Sequence, residues 1–163
     1  MNLRLVKLKN FSGKGASVYS LYIEDANKTV FELFVKENIS HKSEINDILK
    51  RLNTIGQKTG ARETFFKHKE GKPSDGVCAL FDIPDSILRL YCIRYGKTLI
   101  ILGGGGLKPK HIRTFQEDEK LTKENYLLRE ISEQITKRLI DKELHITNDG
   151  FDFEGDLNFE TND

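Results

Sequence analysis

The sequence predicts a single α+β domain in which a compact antiparallel or mixed sheet is packed by two long helices. Three apolar runs at residues 77–83, 87–95 and 98–102 are separated by turn residues, a pattern typical of strands buried on both faces. Two other segments repeat apolar residues at three- and four-residue spacing, as helices with one buried face do. The length of 163 residues, with 37% hydrophobic and 31% charged residues, fits one soluble domain.

Extra strands are expected before the first helix. Residues 3–9 alternate charged and apolar side chains and predict a first short strand. Residues 18–23 and 30–35 flank a turn at residues 25–28, which is typical of a β-hairpin. We therefore expect N-terminal strands in addition to the central ones.

Two helices account for the segments with helical spacing. The first is expected over residues 40–57, with Ser40 as its N-cap and Gly60 as its stop. The second is expected over residues 122–142, with Thr122 as its N-cap. Their buried stripes would be Ile45, Ile48, Leu49, Leu52 and Ile55 in the first, and Leu127, Leu128, Ile131, Ile135 and Leu139 in the second.

Residues 87–106 predict the central hairpin of the sheet. Gly96 supplies a tight turn, and the four glycines at residues 103–106 are expected to end the last strand. A glycine run after a strand can cradle a phosphate, but the Gly-x-x-x-x-Gly-Lys-Ser/Thr spacing of a P-loop is missing. The glycines are therefore expected to let the strand bend, or to let a ligand or another backbone come close.

Charge is distributed unevenly along the chain. Residues 146–163 contain six acids and no Lys or Arg, which leaves 19 acids against 26 basic residues in residues 1–145, a net charge of about +7 there. We expect one domain over residues 1–145 and an acidic tail over residues 146–163. A basic body with an acidic tail is one pattern of nucleic-acid binders, in which the tail would shield the basic surface; an ordinary solvated tail is the alternative.

The sequence shows no recognisable targeting signal or membrane span. Together with the cysteine usage, this favours a cytoplasmic protein without a membrane partner. The first residues do not resemble a signal peptide, and no apolar run approaches the roughly 18 residues of a membrane span. Cys78 and Cys92 lie in apolar runs without Cys-x-x-Cys spacing, so two buried free thiols are expected.

Arg89 is the most informative charged residue, because it interrupts an apolar strand. By alternation, Arg89 and Tyr91 lie on one face of that strand. A buried guanidinium needs an acid or an anion beside it. It could pair with a carboxylate such as Asp82 or Glu63, or it could open onto a concave surface and hold a phosphate.

Basic side chains also gather in the two segments that flank the central strands. If the hairpins bring these segments to one end of the sheet, they form a phosphate-binding patch with aromatic neighbours for base stacking; a solvated charged face is the alternative. His68 and His111 are the candidates for moving protons, and no ligand spacing indicates a metal. The candidate catalytic residues are Arg89, His68, His111 and Lys110, and the candidate RNA-binding residues are Lys67, Lys69, Tyr91, Lys108, Arg113 and Phe115.

The stretch from Leu88 to Lys110, with its Arg–Tyr strand, short turn, apolar strand and lysine-rich end, resembles the RelE/ParE superfamily of bacterial toxins, which includes the RelE-like and HigB-like toxins. The similarity covers about residues 40–140. It implies a RelE-like fold and a toxin of a type II toxin–antitoxin system that cleaves mRNA on the ribosome as a metal-independent endonuclease with no cofactor. The implied partners are the ribosome, mRNA and a cognate antitoxin, of which a helix-turn-helix protein is one type.

The resemblance also implies roles for single residues. Arg89 matches the strand arginine that contacts the scissile phosphate, and Lys108 or Lys110 matches the basic residue after the last strand. Two features depart from the family pattern. Phe115 stands where an aromatic that is commonly Tyr is found, and Phe cannot exchange a proton; residues 77–83 lack the basic residue of the corresponding strand. The alternatives are therefore a non-catalytic RelE-fold module that binds a protein or RNA, or a ParE-like gyrase inhibitor.

Overall fold

The computed structural model describes residues 1–67, 75–80 and 86–162. The strands are β1 (Asn2–Lys7), β2 (Ser17–Ile23), β3 (Lys28–Thr29), β4 (Phe66–Lys67), β5 (Val77–Leu80), β6 (Leu88–Tyr95), β7 (Leu99–Leu107), β8 (Leu144–Ile146), β9 (Phe153–Gly155) and β10 (Asn158–Glu160). The α-helices are α1 (Val30–Glu37), α2 (Lys42–Thr54) and α3 (Phe115–Ile140). None of the helices in these ranges combines the length and apolar character that crossing a membrane requires.

Eight of the described strands form one mixed sheet, in the order β10–β1–β2–β7–β6–β5–β4 with β3 paired to β2. The pair β2–β7 is parallel, from Ser17 opposite Leu99 to Ser20 opposite Leu102, and the other pairs are antiparallel. The predicted α+β class and mixed sheet are confirmed. The described residues hold three α-helices rather than two long ones.

Helix α1 replaces the strand expected over residues 30–35. Its N-terminus is a capping box, because the Glu32 amide donates to Thr29 Oγ1 at 3.0 Å and the Thr29 amide donates to Glu32 Oε1 at 3.2 Å. Val30, Phe31 and Phe34 then lie on the buried side of the helix. The local cap and this spacing outweigh the strand preference of the β-branched and aromatic residues.

Helix α2 confirms most of the first predicted helix. It begins at Lys42, after a 3₁₀ turn that contains Ser40, so Ser40 is not its cap. Ile45, Ile48 and Leu52 are buried as expected. A π-helical turn over Ile55–Thr59 extends α2, and Gly60, at φ 75°, stops it.

Helix α3 begins seven residues before the predicted N-cap Thr122. Thr114 is the N-cap, and it forms a capping box with Glu117 whose two hydrogen bonds are 3.1 and 3.2 Å. The helix runs over the central strands, so that the buried Leu128 lies against Gly103 of β7. The early start adds two turns to the helix next to the end of β7.

The glycine run does not end β7, which continues through Gly103–Gly106 to Leu107. A Cβ on Gly103 would lie 2.5 Å from Leu128 Cδ1, and a Cβ on Gly104 would lie 2.4 Å from Glu124 Oε2. Leu90 and Cys92 of β6 are opposite Gly105 and Leu102, so β7 holds one extra residue there as a β-bulge. The glycines therefore let α3 pack closely over a bulged strand, one of the roles expected for them.

Both faces of the central sheet are buried, as the apolar runs predicted. Side chains of β2, β6 and β7 pack under α3 on one face and under α1 and α2 on the other, and β1 adds Leu3 and Leu5 on the α3 face. Leu99, Ile100, Ile101 and Leu102 are all fully buried. Cys78 and Cys92 are opposite each other on β5 and β6 as buried free thiols, which confirms that prediction. Burial raises the pKa of the Cys92 thiol well above its ordinary value.

The acidic segment after residue 145 contributes strands and buried side chains to the fold. β8 and β9 form a separate two-stranded sheet, and β10 pairs with β1 through Asn2 opposite Glu160. Phe153 and Phe159 are buried in the core under α3. Arg138 of α3 stacks on the Phe159 ring at 4.1 Å and donates to the Asp156 backbone oxygen at 3.1 Å.

Candidate nucleic-acid interface

The start of β6 and the end of β7 lie side by side, and most of the predicted basic residues lie there. Leu88 is opposite Leu107, and Arg89 is opposite Gly106. Because Lys108 follows Leu107 directly, the basic connector begins next to Arg89. We call the group Arg89, Lys108, Lys110, His111 and Arg113 the basic end of the sheet.

Lys108 is fixed by contacts with the chain that enters β6. Its amide donates to the Ile87 carbonyl oxygen at 2.7 Å, and its ammonium donates to the buried Ser86 hydroxyl at 2.6 Å. The same entry segment is held from the other side by Glu44 of α2. Glu44 Oε1 accepts from the Ile87 amide at 2.8 Å and from the Leu88 amide at 2.7 Å. Lys108 therefore has a structural role in addition to any contact with RNA.

The connector between β7 and α3 is a short 3₁₀ turn over Pro109–His111. Lys110 and Arg113 are exposed, and Arg113 is anchored by its amide, which donates to Glu117 Oε2 at 2.6 Å. His111 is half-buried, and its Nε2 is buried without a hydrogen-bond partner. Phe115 is 76% exposed at the start of α3. An exposed ring beside cations is the arrangement that stacks on an unpaired base.

Two predicted residues on β6 differ in their environment. Arg89 is half-buried, whereas Tyr91 is 4% exposed in the core under α3. A buried ring has no free face, so Tyr91 cannot stack on a base in this conformation. Glu63, one of the two carboxylates considered for Arg89, lies 3.9 Å through its Oε1 from Arg94 Nη1, and Arg94 Nε donates to the Ala61 oxygen at 2.7 Å. Asp82, the other carboxylate considered, lies outside the described residues.

Lys67 lies at the edge of the sheet rather than in the basic end. On β4 it is opposite Ala79 of β5, and Ala79 is opposite Tyr91 of β6. Strand spacing then puts the Lys67 and Arg89 Cα atoms about 12 Å apart. By alternation, both side chains lie on the face of the sheet against which α3 packs. His68 and Lys69, also predicted as site residues, lie outside the described residues.

A charge pattern in the sequence would have identified the basic end more directly than single motifs do. Residues 86–116 contain no Asp or Glu. They contain six Lys or Arg, namely Arg89, Arg94, Lys97, Lys108, Lys110 and Arg113. The hairpin puts Arg94 and Lys97 at one end and the other four at the opposite end. Residues 86–116 themselves therefore supply no acid to these four cations.

The comparisons with known proteins give no match for this chain, whether with protein-family models, with curated proteins or with solved structures.

Proposed function

We propose that the chain is a RelE-like toxin of a type II toxin–antitoxin system that cleaves mRNA on the ribosome. The observation that supports this most is the convergence of four cations and His111 at one end of β6 and β7, in a segment of 31 residues without an acid. Such a patch attracts the phosphates of RNA, and the exposed Phe115 adds a stacking surface.

The proposed chemistry uses the 2′-hydroxyl of the RNA as the nucleophile. Its oxygen attacks the adjacent phosphorus, the bond to the 5′-oxygen breaks, and a cyclic phosphate and a 5′-hydroxyl result. Arg89 and Lys110 stabilise the charge that develops on the phosphate oxygens. His111, or His68, moves the protons that leave the 2′-oxygen and reach the 5′-oxygen. Of the two, His111 lies among the described residues; its Nε2 is buried without a hydrogen-bond partner, so the ring has to turn toward the solvent to take part in this step.

A second candidate is a non-catalytic RelE-fold module that binds RNA or a protein. It is favoured by three observations. Lys108 is engaged by Ser86, Tyr91 is buried, and β5 contains only Val77, Cys78, Ala79 and Leu80, so it brings no basic residue to the site. In this case the basic end holds phosphates but performs no proton transfer.

Induced expression in bacteria that lack an antitoxin tests the first proposal. Growth should stop, and primer extension should show cuts in messages that are being translated. His111→Gln should relieve the arrest, because loss of an acid–base group commonly lowers a rate by about 10²- to 10⁴-fold. Lys110→Gln should relieve it partly. Lys97→Gln is the matched control, since it removes one exposed charge from the opposite end of the same hairpin.

Three other outcomes have distinct meanings. Normal growth with soluble protein confirmed by immunoblot contradicts the toxin proposal. RNA that copurifies and stays intact, with equal binding by wild type and His111→Gln, favours the binding module. Arrest with DNA damage and uncut messages points instead to a ParE-like gyrase inhibitor.

A further inference from the structure

A groove of about 640 Å³ lies between α1 and α3. It borders the glycine run of β7 on the edge that faces away from β6. Its floor is Gly104 and Gly105, where β7 has passed the last residue paired with β2. Its walls are largely apolar, and on the α3 side Tyr126 is 59% exposed. The apolar lining residues include Ile23, Val30, Leu33, Phe34 and Leu127. The groove is thus suited to an apolar segment of a partner.

An ion cluster closes the groove between the two helices. Lys120 of α3 is 2.7 Å from Glu124 Oε1 and 3.2 Å from Glu37 Oε2 of α1. Burial alone would lower the pKa of Lys120, but the hydrogen bonds and charges of Glu124 and Glu37 outweigh it and raise the pKa. Lys120 therefore stays protonated and links α1 to α3.

The cluster of two carboxylates and one ammonium carries one unbalanced negative charge and lacks one hydrogen-bond donor. Two carboxylates share one ammonium, and Glu124 Oε2 is buried against Gly104 without a hydrogen-bond partner. A buried carboxylate oxygen without a donor costs free energy, which a ligand with more N–H groups would recover. The rest of the lining adds Glu119, Glu130 and Lys123. Even with the Met1 ammonium, the groove is acidic, whereas residues 1–145 as a whole are basic.

We propose that the α1–α3 groove binds an arginine side chain presented on an apolar segment of a partner protein. The guanidinium takes the place of the Lys120 ammonium between Glu37 and Glu124. A guanidinium has five donors in a planar fork against three on an ammonium, so it bridges both carboxylates once Glu124 Oε2 turns out of its buried position beside Gly104. The apolar residues of the partner cover Leu127 and Tyr126. This binding involves neither RNA nor the basic end of the sheet.

Glu124 and Lys120 are in direct contact, yet substitutions at these two residues should change the affinity for the partner in opposite directions. Glu124→Gln removes the charge that holds the guanidinium, so affinity should fall about tenfold to a hundredfold. Lys120→Ala removes the internal competitor, so affinity should rise severalfold. General damage to the fold would lower affinity in both variants. Glu133→Gln, on α3 but outside the groove lining, is the matched control for loss of one negative charge.

The probe is a fluorescein-labelled synthetic helical peptide of about 15 residues, with Leu at three- and four-residue spacing and Arg between the Leu positions. Its binding to the protein is measured by fluorescence anisotropy. A peptide with Gln in place of Arg is its control. The chain contains no Trp, so Tyr126→Trp adds a single reporter that should change its emission when the Arg peptide fills the groove.

Saturable binding of the Arg peptide, binding at least about tenfold weaker for the Gln peptide, and opposite effects of the two variants would support the proposal. Equal binding of both peptides, or equal losses in Glu124→Gln and Glu133→Gln, would overturn it. A reporter shift that depends on protein concentration without any peptide would assign the groove to a second copy of the chain and would also overturn it. These outcomes are independent of toxicity and RNA cleavage.

Discussion

Gly105 and Gly106 are neighbours on β7 that differ in the space around them, and this difference predicts opposite responses to one added methyl group. A Cβ on Gly105 would lie 1.8 Å from the Arg89 carbonyl oxygen and 2.8 Å from its carbon. A Cβ on Gly106 would meet nothing within 4 Å. Neither glycine has a positive φ, so backbone strain does not separate the two positions.

Alanine at Gly105 requires the main chain of β6 to move. The Arg89 oxygen would have to retreat by about 1.2 Å to reach the 3.0 Å limit of real Cβ contacts, and a backbone atom cannot rotate away as a side chain can. Overpacking typically costs about 1–3 kcal/mol, and a clash with main chain belongs at or above the upper end. We expect Gly105→Ala to lose about 3 kcal/mol of stability, or roughly 6–12 °C in Tm for a domain of this size.

Urea unfolding followed by circular dichroism measures both variants under the same conditions. Gly106→Ala should be neutral or gain up to about 1 kcal/mol, because alanine reduces the conformational entropy of the unfolded chain. Costs for the two variants that agree within about 0.5 kcal/mol would refute the reasoning, since the bulge would then tolerate a side chain at Gly105.

Two further changes test the framework of the site. Glu44→Ala should cost about 1–3 kcal/mol in the same urea experiment, because the Ile87 and Leu88 amides lose their charged acceptor. Asp47→Ala on the exposed side of α2 is its control, and an equal cost would contradict the role of Glu44. Burial raises the pKa of Tyr95, so above pH 10 the unfolded chain releases that proton first and stability falls as pH rises. Tyr95→Phe should therefore lose less Tm than wild type between pH 9 and 11, and parallel losses would exclude this contribution.

The central hairpin could be predicted from the sequence because the features that define it, a turn residue and two apolar runs, are local. Gly96 has the positive φ that its tight turn required, and the strands on either side are buried on both faces as their apolar runs indicated. Gly60, also at positive φ, stops the first predicted helix where expected. The grouping of Arg89 with the cations after β7 followed from pairing these strands.

Helix α1, where a strand was expected, and the early start of α3 share one sequence signal. Thr29 with Glu32, and Thr114 with Glu117, are Thr-x-x-Glu capping boxes, and this spacing is visible in the sequence. The β-branched and aromatic residues after Thr29 instead suggested a strand. The basic connector after β7 appeared to delay the second helix to Thr122.

Other features depend on contacts between distant parts of the chain. The continuation of β7 through the glycines depends on α3 lying close enough that Leu128 and Glu124 exclude a Cβ. The burial of Tyr91 depends on the same helix. Alternation fixed the face on which Tyr91 lies but not what covers that face.

The pairing of β1 with β10 has a consequence for how the protein is made. Asn2 emerges from the ribosome well before its strand partner Glu160, which is more than 150 residues further along the chain. Throughout synthesis β1 can pair with β2 only, and its outer edge stays open until residues 158–160 have been added. An open strand edge can pair with another chain, and contacts this distant in sequence form slowly. A chain whose translation stops early would therefore be prone to self-association even though its central hairpin is complete.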